Sequence, residues 1–363
     1  MKIIAIVSTI EFQNRATIEA ISRRYNNIEV LVKRSIYRFN EKKTVSNFVK
    51  INYIYTFFPE KLKQYAFFKR LELFLSRVLY GRRLACYDVA LLTNTHVAYM
   101  LPLLKNKKVV SLFVDPYVLM NDGASHDDEV ALAKEADVLL CTSKHLAATY
   151  CKKYLSIDVE GVYWPNTADL KQWDIDLFEN KAINTGRMVC GYAGNMNEIT
   201  INIDLVDNIT KSFPMCQFVF AGNMNFKEPK LLADFKEIMN RVNVDFIGMV
   251  PYDEIQKVVA GWDVCLMLDN IYELSKYVHH NKVYQYLALG KVVVATKTHD
   301  DYAGLTNAVL EALTISEFIS NIKIALLDSR NPVEIDNRVR LAEANSADAR
   351  AIAFNDILKQ RLT

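Results

Sequence analysis

The chain has 363 residues, of which 51% are hydrophobic and 24% are charged, and its formal net charge is +2. These values exclude a disordered chain and indicate a globular protein with a large core, while the length predicts two domains. No apolar run is long enough to span a bilayer, and the apolar start of the chain is too short for a signal peptide. We therefore expect a cytoplasmic protein.

The charge is unevenly distributed, and the six cysteines show no pairing pattern. Residues 1–170 contain 24 lysines and arginines against 17 aspartates and glutamates, a net charge of +7, which leaves −5 for the remainder. A basic first half is expected to meet something anionic. Because no two cysteines form a Cys-x-x-Cys motif, they predict buried thiols in a reducing compartment rather than disulfides or a zinc site.

In the first half of the chain, strand-like runs alternate with helical patterns. Strands are predicted near residues 3–7, 28–32, 89–93, 109–114, 138–142 and 159–163, and helices at 14–25, 126–135 and 144–154. Such alternation predicts an α/β domain whose parallel sheet is covered by helices on both faces.

The stretch from residue 53 to residue 83 differs in kind, because it interleaves aromatic side chains with lysines and arginines. This composition fits a helix lying on an anionic membrane surface. It fits equally well a pair of helices packed in the core with basic residues in solvent. A nucleic-acid surface is disfavoured, because the second half is acidic and no nucleic-acid-binding motif is present.

The second half repeats the alternation. Strands are predicted near 188–193, 217–221, 245–247, 264–268, 292–295 and 308–310, and helices at 202–212, 229–240, 252–260, 281–289, 315–327 and 346–360. We therefore predict two Rossmann-like, doubly wound domains at 1–170 and 188–345, joined by a linker at 171–187. The C-terminal helix at 346–363 is expected to pack back on the first domain. Ligands of such sheets bind outside the carboxyl ends of the strands, here in a cleft between the domains.

Glycine-containing turns follow two of the predicted strands in the second half. Gly194 can turn the backbone sharply beside a ligand, and the Asn195 amide can contact a phosphate or a sugar. Tight-turn chemistry explains Asn195 equally well, and it is the preferred explanation for Asn223. The backbone groups of Met249 and Val250, at a later strand-to-helix junction, can hold a nucleobase edge, although an ordinary loop fits the same residues. Neither a Gly-x-Gly-x-x-Gly nor a P-loop motif is present.

The pattern of residues 279–296 predicts a short helix, a glycine that ends it and a buried strand. Lys282 and Gln285 lie three residues apart, so they share one helix face near its N-terminus. A cation and an amide beside free helix N–H groups form a candidate diphosphate and ribose site. On these residues alone, a solvated amphipathic helix is an equal alternative. His280 precedes Lys282, and at most one of the adjacent histidines His279 and His280 is expected to reach a ligand.

The order of these segments resembles the donor domain of the GT-B glycosyltransferases. The resemblance runs through Gly-Tyr-Ala-Gly-Asn-Met-Asn at 191–197, Phe-Val-Phe-Ala-Gly at 218–222 and Phe-Ile-Gly-Met-Val-Pro-Tyr-Asp-Glu-Ile at 246–255. It ends with Asn-Lys-Val-Tyr-Gln-Tyr-Leu-Ala-Leu-Gly-Lys-Val-Val-Val-Ala-Thr at 281–296. Weaker signals in the first half are Glu129, Ala-Asp-Val at 136–138 and Trp-Pro-Asn at 164–166. The resemblance implies a GT-B fold and a UDP-sugar donor.

The final block is similar to the Lys-x-x-Gln-Tyr block of xanthan-type glucuronosyltransferases. This similarity implies that Lys282 and Gln285 hold the UDP-sugar, with Tyr286 in the same block, and it raises UDP-glucuronate as one donor. Gln285 stands where the family-4 type has a glutamate, and Val292 stands where a proline is usual. The Arg-x-x-x-x-Lys pair of many retaining members is not visible after Gly194. Whether transfer retains or inverts the anomeric configuration of the sugar therefore stays open.

Glycosyl transfer requires stabilisation of the leaving diphosphate, for which Lys282 is the candidate, and GT-B enzymes use such groups in place of a metal. An inverting route also needs a base in the first domain. Asp115, at a strand end before a proline, is the candidate, with a turn or cap aspartate as the alternative. Four further residues downstream could act as the base or contact the acceptor, namely Asp122, His126, Asp127 and Asp128. The alternative is that they form the solvent-exposed start of a helix.

We therefore predict a metal-independent glycosyltransferase that uses no cofactor beyond its nucleotide-sugar substrate. Its acceptor is expected to be a saccharide or a polyprenyl-linked oligosaccharide of a bacterial surface polysaccharide. This acceptor would bring the enzyme to the inner face of the plasma membrane. Two alternatives stay open, namely a sugar-nucleotide epimerase on the same fold and a non-catalytic nucleotide-sugar-binding protein.

Overall fold

The computed structural model describes residues 1–8, 13–25, 28–38, 49–63, 65–93, 95–120, 126–177 and 186–362. The chain divides into two compact units. The first unit consists of Met1–Asn166, Tyr277–His279 and Ala347–Thr363, and the second consists of Thr167–Lys276 and His280–Ser346. The described part of the predicted linker at 171–187 thus belongs to the second unit.

The first unit is built on parallel strands and the helices that connect them. In chain order its elements are β1 (Ile3–Val7), α1 (Gln13–Tyr25), β2 (Ile28–Ser35), β3 (Lys50–Thr56), α2 (Glu60–Lys63), α3 (Ala66–Leu84), β4 (Val89–Leu92), β5 (Lys108–Phe113), α4 (Tyr117–Met120), α5 (His126–Lys134), β6 (Val138–Cys141), α6 (Cys151–Tyr154) and β7 (Val162–Tyr163). Within the described ranges they form one parallel sheet of order β3-β2-β1-β4-β5-β6-β7.

The central strands of this sheet are buried on both faces. Every residue of β1, β4 and β6 is buried. Alternate residues of β1 belong to two different cores, because Ile4 and Ile6 face one side while Ile3, Ala5 and Val7 face the other. This two-sided burial explains why such strands are continuous apolar runs rather than alternating ones.

The segment from residue 53 to residue 83 is only partly helical. Tyr53 and Tyr55 lie on β3, the edge strand, so the prediction of helical structure from the start of this segment is wrong. Arg34, on the neighbouring strand β2, covers the Tyr53 ring at 4.1 Å. Aromatic residues with partial burial are favoured on an edge strand, which is why a helical interpretation failed there. The helical parts are α2 and α3.

The second unit contains a further parallel sheet. Its elements are β8 (Val189–Ala193), α7 (Ile203–Ser212), β9 (Gln217–Ala221), α8 (Pro229–Met239), β10 (Val244–Gly248), α9 (Ile255–Ala260), β11 (Val264–Met267), α10 (Lys282–Ala288), β12 (Val292–Thr296), β13 (Val309–Ala312), α11 (Ile315–Asp328) and α12 (Pro332–Ala344). Over the described residues the strand order is β10-β9-β8-β11-β12-β13. The order reverses between β8 and β11, and such switch points are where doubly wound sheets bind ligands.

Helix α12 is absent from the predicted elements, and its inner face explains why. Its buried residues are Arg338 and Ala342, so no apolar stripe marks the helix. The Arg338 guanidinium donates to the carbonyl of Gly290 at 3.1 Å and to that of Ser329 at 3.4 Å. The inner face of this helix therefore combines an arginine bonded to backbone carbonyls with a small apolar residue, Ala342, which belongs to the core of the unit.

The last helix, α13 (Ala347–Leu362), packs on α1 within the first unit. The Tyr25 hydroxyl donates to the Asn355 side-chain carbonyl at 2.9 Å, and Arg23 pairs with Asp348 at 2.7 Å. Phe354 is fully buried between the rings of Tyr25 and Trp164. Over the parts of the chain that the structure describes, no helix combines the length and apolarity needed to cross a bilayer.

Candidate functional site

The candidate site lies in the second unit, where the strand order reverses. Gly194 follows β8 directly, and α10 begins at Lys282 in the connection between β11 and β12. The Lys282 ammonium stands 3.3 Å from the Tyr192 hydroxyl and 4.5 Å from the centre of its ring. A cation is thereby held at the carboxyl end of the central strand by a buried aromatic ring. The sequence did not mark Tyr192 as part of a site, although its place two residues before Gly194 was an available signal.

Gly194 leaves the space that the Lys282 ammonium borders. Its φ is +152°, and a Cβ added there would lie 2.6 Å from Lys282 Nζ and 3.2 Å from the Tyr192 hydroxyl. Any side chain at this position would therefore push the ammonium away. The absence of a Cβ leaves the backbone of Gly194 open on the side that faces this cation.

Three glycine turns stack at this edge of the sheet. The Gly194 N–H donates to the Ala221 carbonyl at 2.9 Å, and the Gly222 N–H donates to the Gly248 carbonyl at 2.7 Å. Gly222 has a φ of +138°, and a Cβ there would lie 1.9 Å from the Gly194 carbonyl oxygen. The turns after β8, β9 and β10 thus pack backbone against backbone. On the side formed by these turns, the wall of the site therefore consists of peptide groups.

Asn195 and the pair Met249 and Val250 lie beside these turns. The Asn195 side-chain carbonyl accepts a hydrogen bond from the Asn225 amide, and its backbone carbonyl accepts from the Tyr192 and Thr200 hydroxyls at 3.0 and 2.6 Å. These contacts give Asn195 a structural role in the turn. Met249 is exposed and follows Gly248 at the end of β10, on the same sheet edge as Gly194.

Gln285 and Tyr286 lie on α10 and are both buried. The Tyr286 hydroxyl accepts a hydrogen bond from the Ala193 N–H at 3.1 Å, which ties α10 to the end of β8. Burial raises the pKa of Tyr286 well above its ordinary value, so the hydroxyl stays protonated. Tyr286 therefore positions Lys282, which begins the same helix. Contact of Gln285 or Tyr286 with a donor stays a prediction.

His280 and Asp269 form a second polar pair next to Lys282. His280 Nε2 lies 3.0 Å from Asp269 Oδ1. The backbone N–H of His280 donates to the Tyr302 hydroxyl at 3.1 Å. Burial of Asp269 disfavours its charge, but the attraction and hydrogen bond of His280, with the charge of Lys282, hold the pKa of that carboxyl below its ordinary value. Asp269 thus stays a carboxylate, next to the His280 ring and within reach of the Lys282 charge.

The adjacent histidines point to different surroundings, as their sequence spacing implies. The ring of His279 belongs to the first unit, where it meets the Tyr163 ring edge-on at 6.5 Å. Two acidic residues of the second unit, Glu273 and Asp300, form ion pairs of their own. Glu273 pairs with Lys276 at 2.8 Å, and Asp300 pairs with Lys297 at 3.0 Å, both on the surface. No group of three metal-ligating side chains is found among the residues described here.

Asp115 belongs to the first unit, in the half-buried loop between β5 and α4. Glu129 is fully buried behind this loop, and it accepts hydrogen bonds from the Tyr150 hydroxyl at 2.8 Å and the Val118 N–H at 3.3 Å. Burial raises the pKa of Glu129 against the effect of these hydrogen bonds. Glu129 thus binds the start of α4, the helix that directly follows the loop carrying Asp115.

The residues named after Asp115 have separate surroundings. Asp128 pairs with Lys69 at 2.9 Å, whereas His126 and Asp127 are exposed at the start of α5. Asp122 lies outside the described residues.

The backbone is similar to those of several solved structures. Sucrose-phosphate synthase from Thermosynechococcus elongatus matches with a TM-score of 0.72 at 15% identity, over 99% of each chain. HepE from Anabaena, in complex with UDP, matches with a TM-score of 0.71 at 12% identity, over 99% of this chain and 100% of that one. The lipopolysaccharide outer core galactosyltransferase WaaB, in its apo form, matches with a TM-score of 0.69 at 13% identity, over 99% of each chain.

No protein-family model and no curated protein sequence matches the chain. The fold therefore rests on the two parallel sheets and on these structural likenesses. Together they give the chain the GT-B fold of glycosyltransferases.

Proposed function

We propose that this protein is a glycosyltransferase that transfers a sugar from a UDP-sugar to a saccharide acceptor. The observation that carries the proposal is the Lys282 ammonium beside Gly194, at the switch point of the second sheet. An ammonium at a site walled by backbone suits the diphosphate of a nucleotide-sugar, which carries two adjacent negative charges. The solved structures of HepE with UDP and with UDP-glucose support the choice of donor class.

Lys282 provides the charge stabilisation that the departing UDP needs, because negative charge develops on the diphosphate as the glycosidic bond breaks. His280, held by Asp269, is a second donor toward the phosphates. Gly194, Asn195, Met249 and Val250 border the nucleotide, and Gln285 and Tyr286 complete its pocket. A cationic side chain at the diphosphate lets transfer proceed without a metal ion, so a chelator should leave activity intact.

The acceptor side of the proposal belongs to the first unit. Asp115 is the base that deprotonates the acceptor hydroxyl if transfer inverts the anomeric centre. The acceptor we propose is a lipid-linked oligosaccharide of a bacterial surface polysaccharide, and glucuronate is one donor sugar to test. Such an acceptor is presented at the cytoplasmic face of the membrane.

Calorimetric titration with UDP-, GDP- and dTDP-sugars tests the donor assignment. Lys282→Ala should weaken UDP-sugar binding roughly tenfold to a hundredfold, because hydrogen bonds to charged groups contribute about 1.5–3 kcal/mol. Lys297→Ala is the matched control, since it removes an exposed lysine that pairs with Asp300 in the same unit. Equal affinity of Lys282→Ala and the wild-type protein for every donor would contradict the proposal. Donor turnover without any acceptor would instead favour an epimerase.

A further inference from the structure

Helix α3 in the first unit exposes several large apolar side chains while it buries two polar ones. Its exposed residues include Phe67, Phe74 and Val78, which are 70%, 61% and 64% exposed. Glu72 and Ser76 are 0% exposed. Surface helices of globular proteins bury the apolar stripe and expose the polar one. Contact with water alone therefore does not account for the exposed apolar side chains of α3.

Three of the four large apolar residues that α3 exposes form a stripe, and the fourth, Leu79, lies off it. Positions 67, 74 and 78 are spaced i, i+7 and i+11, so they lie on the same face of the helix. Glu72, Ser76 and Tyr80 are spaced i, i+4 and i+8 and lie on the opposite face. We refer to Phe67, Phe74 and Val78 as the outer stripe.

The orientation of α3 is determined by its buried polar contacts. The Glu72 carboxylate accepts the Phe57 N–H at 3.0 Å and the Phe58 N–H at 3.1 Å, just beyond the end of β3. The Tyr80 hydroxyl accepts the Tyr55 N–H at 2.9 Å. Turning the helix to bury the outer stripe would leave these donors and a buried carboxylate unpaired, which is strongly unfavourable. The stripe is therefore held on the surface.

Arginines flank the outer stripe on both sides. Arg70 and Arg77 lie along one edge and Arg82 along the other, and all three are exposed. The only carboxylate on α3 is Glu72, which is buried, so nothing acidic on this helix balances them. The first 170 residues also carry a net charge of +7. An apolar stripe with cationic side chains on both sides is complementary to a surface whose outer layer is anionic and whose interior is apolar.

We propose that the outer stripe of α3 and its three arginines dock the first unit on an anionic lipid surface. The aromatic and aliphatic side chains enter the boundary between headgroups and acyl chains, while the arginines pair with lipid phosphates. The helix lies in the plane of the interface, anchored from behind by Glu72. This docking does not depend on the proposed sugar transfer, because it uses neither the second unit nor a nucleotide.

Vesicle co-sedimentation of the full chain tests the proposal without any sugar. Mixed phosphatidylglycerol–phosphatidylcholine vesicles should bind the protein, and added salt should weaken binding because it screens the arginines. Arg70→Gln/Arg77→Gln/Arg82→Gln should reduce binding roughly a hundredfold, since each basic residue near an anionic surface contributes about a factor of five. Lys152→Gln/Lys230→Gln/Lys236→Gln removes three exposed charges elsewhere and should bind as the wild type does.

The apolar part is tested by Phe67→Ser/Phe74→Ser, which should also abolish sedimentation with the vesicles. Leu327→Ser/Val333→Ser removes two exposed apolar side chains from the second unit and serves as its control. The proposal is overturned if the wild-type protein ignores anionic vesicles, or if both control variants lose binding as strongly as the α3 variants. It is also overturned if ultracentrifugation shows a dimer that Phe67→Ser/Phe74→Ser dissociates, because the stripe would then bind a second copy of the chain.

Discussion

Helices α3 and α10 both bury polar residues, but they differ in how many apolar residues they expose. In α10, every residue after Lys282 is buried, and the polar Gln285 and Tyr286 lie inside with the apolar residues. In α3, Glu72 and Ser76 are inside, whereas Phe67 and Phe74 are outside. In both helices a hydrogen bond to the end of a strand fixes which face is inward. Apolar spacing therefore indicates a helix, whereas a few buried polar contacts decide which surface it presents.

The largest effect is expected from removing the anchor of α3. Glu72→Ala leaves two backbone N–H groups without their acceptor, and each such buried group costs about 1–3 kcal/mol. We expect the free energy of unfolding to fall by about 3 kcal/mol in urea titrations followed by circular dichroism. Glu72→Gln keeps one acceptor oxygen and should cost less. If Glu72→Ala were as stable as the wild-type protein, the carboxylate would not orient α3.

The corresponding test beside α10 concerns Asp269. Its pKa is lowered in the folded protein, so its carboxylate stabilises the fold fully above the unfolded-state value, near pH 4, and less as pH falls through the folded value. Asp269→Asn should therefore cost about 2 kcal/mol at neutral pH, the usual contribution of a charged hydrogen bond.

Thermal melts across a pH series measure this difference. The gap in melting temperature between wild type and Asp269→Asn should close as the pH falls below about 4. A gap of constant size at every pH would mean that the His280 contact does not depend on the charge of Asp269.

The smallest effect is expected when alanine replaces a glycine of positive φ, and two such glycines of the second unit can be compared. Gly194→Ala introduces backbone strain and also displaces the Lys282 ammonium, so UDP-sugar affinity should fall roughly tenfold, or about 1.4 kcal/mol. Gly186→Ala also places an alanine at positive φ, +71°, but its Cβ meets no described atom within 4 Å. Calorimetry should find normal affinity for Gly186→Ala. Equal losses in both variants would indicate that general strain, rather than displacement of Lys282, weakens binding.

The regular parts of the fold were predictable because apolar patterns mark them. Strand β12 was predicted at 292–295 and spans Val292–Thr296, and α10 was predicted at 281–289 and spans Lys282–Ala288. The segments that escaped prediction lack such a pattern. Helix α12 buries an arginine, and β3 is a half-buried edge strand rich in aromatic residues.

The site was predictable only where local spacing carries information. Lys282 and Gln285 share a helix, so their association follows from the sequence. The approach of Lys282 to Tyr192 joins residues 90 positions apart, and the contact between His280 and Asp269 bridges an irregular loop. Contacts of this kind depend on tertiary packing, which no local period encodes. The role of Asp115 depends on an acceptor and stays a prediction.

The stacked turns at Gly194 and Gly222 have a consequence for how this protein can change. A pocket lined by side chains can be reshaped by replacing one residue with a smaller or larger one. Here the wall is peptide backbone, and a Cβ at Gly222 would collide with the carbonyl of Gly194 at 1.9 Å. If the site binds a nucleotide-sugar as we propose, we expect donor preference to be tuned by side chains outside these turns, such as Gln285 and Met249.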